Sequence, residues 1–160
     1  MTQPPIRNRP PATHWLIAAA YMAPAIAWAA AIYAFSSSSS PSIGAVGFEK
    51  GQWAPSTILL HIAEFAILAA LLIAGMRLLA ARRFGRTVSV QRETKILIIS
   101  GILSILYGIS DELHQGTVAG RDASVIDVFS DAAGAAIAVA AAHGILSLLR
   151  KPLLKNQNVQ

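Results

Sequence analysis

The chain is organised as long uncharged runs separated by short polar stretches, and the length of each run predicts a helix that crosses a bilayer. The first run extends from Trp15 to Phe35, about 31 Å of helix at 1.5 Å per residue against a hydrocarbon core of about 30 Å. Arg7 and Arg9 precede it, as in a signal peptide, but a signal's apolar core is only about 7 to 15 residues, so the run reads as a retained helix. Pro24 is expected to kink it. The second run, Ser56 to Met76, contains His61 and Glu64. The third, Ile96 to Ser110, covers only about 22 Å, so completing the span requires part of Asp111 to Gln115 at the membrane's outer edge. The fourth, Ser124 to Leu149, carries Asp127 and Asp131. The expected fold is therefore all-α: a polytopic four-transmembrane-helix bundle with spans near 15–35, 56–76, 96–115 and 124–149. Small residues recur at four-residue spacing in the first and last spans, Ala23, Ala27 and Ala31, then Gly134, Ala138 and Ala142, and are expected to let helices of the bundle approach closely.

Composition makes the membrane the natural solvent. Hydrophobic residues are 54% and charged residues 13% of the 160, with a mean hydropathy of +0.53. A typical soluble domain has about 25% charged residues, so a disordered chain, a charged coiled coil and a soluble enzyme are all poor fits. The chain has no cysteine, which excludes disulfides, thiolate metal sites and cysteine nucleophiles together.

Charge placement predicts orientation. Every Lys and Arg except Lys50 and Arg121 falls in the N-terminal tail, the loop between the second and third spans, or the C-terminal tail. Short cytoplasmic loops hold the basic excess, so both termini are expected inside and the loops 36–55 and 111–123 outside. The net charge of +5 thus reflects topology, and nucleic-acid binding is not expected, because the basic residues lie beside apolar spans without interleaved aromatic residues. The expected division is a disordered cytoplasmic tail at 1–13, a membrane domain at 14–150 and a second tail at 151–160, in a multi-pass protein of the bacterial cytoplasmic membrane.

Ionisable groups inside a span cost about 2.5 to 3.5 kcal/mol each on insertion scales, so their positions are informative. They gather at one depth. His61, Glu64, Asp127 and Asp131 sit about 4 to 12 Å from the outer ends of their spans. Asp111, Glu112, His114 and Gln115 end the third span, and Arg121 and Asp122 lie in the following loop. Helical spacing puts His61 with Glu64, Asp127 with Asp131, and Glu112 with Gln115 on common faces. These faces predict a polar cavity open to the exterior. Its acidic excess around a single fixed cation, Arg121, implies perturbed proton affinities or a bound cation.

The same residues carry a resemblance. Phe35-Ser36-Ser37, His61-Ile62-Ala63-Glu64-Phe65, Ser110-Asp111-Glu112-Leu113-His114-Gln115, Gly120-Arg121, Asp127 and Gly134 together resemble the signatures of the VanZ-like membrane proteins, a family associated with teicoplanin resistance. The likeness covers roughly residues 30–140. It departs at Thr57-Ile58, where family members commonly carry Asp-Lys shortly before the histidine, and at Asp131, where many have Asn. The resemblance implies an envelope-associated role and no settled reaction.

The leading expectation is a site that binds, and in one version modifies, a cell-envelope precursor or lipid-linked molecule. Arg121 would grip a phosphate or carboxylate, with His61, Glu64, Gln115 and Asp131 lining the site. Glu112 and His114 would act as acid or base, with Asp127 orienting one of them. A metal-dependent enzyme is an alternative, with His61, Glu64, Glu112 and His114, together with Asp127, as candidate ligands for zinc, manganese or iron. A small transporter is a further alternative, opposed by inner span halves that offer only His143. The plainest alternative is a structural or regulatory envelope subunit.

Overall fold

The computed structural model describes residues 12–38, 55–85 and 88–155. Of the expected tails at 1–13 and 151–160, residues 1–11 and 156–160 lie outside the described residues, as does Lys50 in the first loop. Within them the chain forms α1 (Ala12–Ser36), α2 (Pro55–Phe84), α3 (Val90–Gln115) and α4 (Val125–Lys155). All four are long and apolar enough to cross a membrane.

Each boundary has a local cause. α1 runs unbroken through Pro24 and ends in the serine run, where the Ser37 and Ser38 hydroxyls donate to the carbonyls of Tyr33 (2.7 Å) and Ala34 (3.1 Å). The Ala34 carbonyl thereby gains a partner where the Ser38 N–H turns to Phe35, while the Tyr33 carbonyl accepts the Ser37 N–H as well as its hydroxyl. α2 begins on Pro55, whose fixed φ suits a first helical position. It stops at Gly85, which adopts φ 94°, the left-handed conformation favoured just past a helix end. α4 starts behind Ser124, whose hydroxyl accepts the Asp127 N–H at 3.3 Å, an N-cap bond.

α3 departs from expectation by starting at Val90, not Ile96, and at 26 residues it is about 39 Å long. The charges that argued for a loop are built into the helix instead. Glu93 is 5% exposed and accepts from Arg77 of α2 at 3.1 Å, and it also pairs with Arg150 of α4. Arg77 therefore belongs to α2, and the connection between α2 and α3 is short. This ion pair ties three helices together at the end opposite His61.

The bundle is uneven. α2 touches all three other helices, α3 and α4 also touch each other, and α1 leans on α2 and more lightly on α3 without reaching α4. Phe65, Leu68, Ala69 and Ile73 of α2 fill the centre. α1 docks through Ala25, Trp28, Ala29, Ile32 and Ser36, while Ala23 and Ala27 face outward, so the expected small-residue stripe on this helix is not its contact face. On α4 the stripe does meet a neighbour: a Cβ on Gly134 would collide with the Ile62 carbonyl of α2. Ala138 and Ala142 of α4 then face Ala70 and Ala74 of α2 across an apolar cavity of about 310 Å³. Large side chains such as Trp15, Leu59, Phe129 and Leu148 are exposed, as expected of helices whose outer surface meets lipid.

Candidate functional site

The C-terminal ends of α1 and α3 meet the N-terminal ends of α2 and α4, and the polar side chains named from the sequence collect there. They divide into two groups.

The first group joins α2, α3 and α4. His61, one and a half turns into α2, lies 2.9 Å through Nδ1 from Asp131 Oδ1 on α4. Its other ring nitrogen, Nε2, faces Asp127 Oδ2 at 3.8 Å, beyond hydrogen-bonding distance. Asp131 fits because Gly108 of α3 stands opposite: a Cβ there would be 2.7 Å from Asp131 Oδ2. Glu112 enters from α3, and its Oε2 accepts the Ser124 N–H at 2.8 Å. In a capping box that N–H is taken by the acid at the third helical position, which here is Asp127. Glu112 fills the role from another helix and leaves the Asp127 carboxylate free to face His61. His61, Glu112 and Asp127 each present a potential metal-ligand atom within 4.8 Å of the others'.

The second group joins α1, α3 and the turn after it. Arg121 donates to Gln115 Oε1 at 2.7 Å, and Gln115 Nε2 donates to Asp111 Oδ2 at 2.9 Å and to Ser36 Oγ at 3.3 Å. The Ser36 hydroxyl donates in turn to Asp111 Oδ2 at 2.7 Å. Arg121 is held by a compact turn in which its own N–H bonds the Val118 carbonyl and Gly120 takes φ 82°. Beside this relay His114 stacks on Tyr33, ring centroids 4.5 Å apart, with Nε2 3.0 Å from Ser37 Oγ.

Not every expected member joins. Glu112 and His114 are two residues apart, so they leave α3 on different faces: Glu112 meets α4 and His114 meets α1. The imidazole near Glu112 is that of His61. Glu64 is half-buried, and among the described residues its contact is through the backbone, whose carbonyl accepts from Trp28 Nε1 at 2.9 Å. Of the candidate metal ligands, His61, Glu112 and Asp127 form the close trio, and Glu64 and His114 stand outside it. Outside the site, His143 is exposed on α4.

Ser36, Asp111 and Ser124 are central here, although sequence reasoning assigns them no site role beyond a place in the polar cluster for Asp111 and in a signature block for Ser36. The i, i+4 spacing of Asp111 and Gln115 was the available signal for one of them. Ser36 and Ser124 resemble ordinary loop serines until partner helices arrive. Sequence reasoning also missed the pairing of Glu93 with Arg77 and Arg150, which puts charge in the halves expected to be apolar.

The site is closely packed and carries excess acceptors. Asp111, Glu112, Asp127 and Asp131 are each 5% exposed or less. One carboxylate oxygen of each, Asp111 Oδ1, Glu112 Oε1, Asp127 Oδ1 and Asp131 Oδ2, is buried with no hydrogen-bond donor among the described residues. Leaving such a group unpaired costs about 1 to 3 kcal/mol, more where it is charged. Chemically, the arrangement offers an oriented imidazole, carboxylates ready to accept protons or a cation, and one half-buried guanidinium.

The VanZ/LLP1 family model matches residues 17–149, a range that includes both groups. No curated protein and no solved structure matches the chain.

Proposed function

The chain belongs to the VanZ/LLP1 family, and from that membership and the site we propose that it binds a polar group of a cell-envelope or lipid-linked molecule at the Arg121 end. The observation that carries this reading is the convergence of buried polar side chains from four helices beside Arg121. Buried polar groups in a membrane protein are expensive and usually functional. A guanidinium anchored by Gln115 suits a phosphate or carboxylate. The family's association with teicoplanin resistance supports an envelope molecule as the ligand.

The proposal includes a topology. The membrane domain covers 14–150, between tails at 1–13 and 151–160, in a bacterial cytoplasmic membrane. Both termini are cytoplasmic and the site faces outward. Among the described residues, Arg77, Arg82, Arg83, Arg92, Lys95 and Arg150 all lie toward the end opposite Arg121, in agreement with the basic-inside bias.

Photocrosslinking tests the ligand. A benzophenone amino acid at Val118, beside Arg121, should capture a lipid-linked envelope intermediate in living cells, identifiable by mass spectrometry after extraction. Arg121→Ala should reduce that capture at least about tenfold while leaving membrane abundance unchanged. Capture of bulk phospholipid alone, equal in both proteins, would overturn the reading.

A further inference from the structure

We propose that His61, Glu112 and Asp127 form a binding site for one divalent first-row transition cation, zinc or manganese. The site goes beyond the envelope-ligand reading and does not depend on it.

The first observation is convergence. The three residues come from α2, α3 and α4, each is at most 7% exposed, and their ligand atoms lie within 4.8 Å of one another. Two ligands held about 2.0 to 2.2 Å from a tetrahedral ion are about 3.3 Å apart. Side-chain movement that shortens these separations by up to about 1.5 Å therefore closes the trio around an ion.

The second observation is an unmet need at the same place. Glu112 is 3% exposed and Asp127 5% exposed, and Glu112 Oε1 and Asp127 Oδ1 lack donors among the described residues. Their partners are arranged so that these atoms remain free. The Ser124 N–H occupies the other Glu112 oxygen, and the Ser124 hydroxyl takes the Asp127 N–H. The N-cap thus orients the Glu112 carboxylate and fixes the Asp127 backbone, and each carboxylate keeps a buried oxygen without a donor among the described residues.

The imidazole is prepared in the same way. With Nδ1 2.9 Å from Asp131 Oδ1, the ring donates its N–H to Asp131 and turns the Nε2 lone pair toward Asp127. A carboxylate behind a histidine is the usual means of fixing the tautomer and direction of a metal ligand. The 3.8 Å gap from Nε2 to Asp127 Oδ2 is too long for a hydrogen bond and fits two ligands of one ion.

Charge and donor type select the ion. Two carboxylates and a neutral imidazole carry a charge of about −2, which a divalent cation neutralises where solvation is weak. One nitrogen and two oxygens suit zinc or manganese better than calcium, which prefers six to eight oxygens. Three protein ligands leave a coordination position for water or an incoming oxygen.

Metal analysis decides the matter. Full-length protein purified in detergent, stripped with chelator, exposed to zinc or manganese and washed should retain about one ion per chain. X-ray absorption at the metal edge should show one imidazole among oxygen ligands. The paired variant Glu112→Gln/Asp127→Asn should lose the ion, Asp131→Asn should bind about 10 to 100-fold more weakly, and His114→Ala should bind like the wild type. Wild-type protein that retains no stoichiometric zinc or manganese overturns the proposal, as does a bound metal with no imidazole ligand. Because wild-type stoichiometry and coordination are read directly, a variant that fails to fold does not protect the idea. Loss of envelope-ligand capture with metal intact would count against the function proposed above and leave the metal site standing.

Discussion

Gly134 sits where α4 crosses α2, and the missing side chain sets how near the two helices come. An added Cβ would run into the Ile62 carbonyl and stand 3.0 Å from the Ala66 nitrogen, both backbone atoms that cannot rotate away. Gly144, ten residues further along α4, has nothing within 4 Å of the same construction. The two glycines should therefore respond oppositely to alanine. Gly134→Ala should lower stability by about 1 to 3 kcal/mol through overpacking, whereas Gly144→Ala should be neutral or raise it by up to about 1 kcal/mol through helix propensity. Thermal unfolding in detergent measures both, and a Gly134→Ala protein as stable as the wild type would refute the close-approach account. At this scale the sequence was legible wherever chemistry broke the hydrophobic pattern. His61, Glu112, Asp127 and Asp131 stood out because ionisable groups are rare inside spans. Ser36 entered only within the Phe35-Ser36-Ser37 block and Ser124 only as the start of a span, because a serine at a helix end acquires its partner only when distant helices meet.

Among the elements, α3 had the least readable boundary, and the reason is electrostatic. Arg92, Glu93 and Lys95 look like loop charges in a linear reading, yet Glu93 is buried between Arg77 and Arg150 and the helix continues through it. No feature of the sequence near residue 93 reveals that α2 and α4 each supply an arginine there. Glu93→Ala should leave two arginines facing one another without their shared acceptor. The expected loss is about 1 to 3 kcal/mol, below that of a fully buried pair because both arginines are about a third exposed. Arg77→Ala should cost less, since Arg150 still pairs with Glu93. Denaturation in mixed detergent micelles would rank the variants, and a larger effect for Arg77→Ala would contradict Glu93 as the shared centre. The same electrostatic view explains α1. Its alanine stripe has the spacing of a packing face, but the residues that can bond across, Trp28 to the Glu64 carbonyl and Ser36 to Asp111, lie on another face and decide the docking.

For the molecule as a whole, the two ends have different electrostatic character. Acceptors dominate the Arg121 end, where Asp111, Glu112, Asp127 and Asp131 are buried, and arginines and lysine dominate the opposite end. The four spans and this polarity could be read from hydrophobic runs and charge placement, because a bilayer imposes length and asymmetry on any chain that crosses it. The unequal packing, with α2 central and α1 peripheral, could not be read, since it depends on which helix faces carry glycine and serine contacts. Orientation itself can be tested directly, because the chain has no cysteine and a single introduced thiol reports its own side of the membrane. Ala119 lies exposed in the turn after α3, and Ser89 lies exposed just before it. If the basic end is cytoplasmic, a membrane-impermeant maleimide should label Ala119→Cys in intact cells and Ser89→Cys only after the membrane is opened. The reverse pattern would turn the site toward the cytoplasm and remove the basis for an extracytoplasmic ligand. Labelling of both positions in intact cells would mean that the charge asymmetry does not fix a single topology, which defeats the orientation equally.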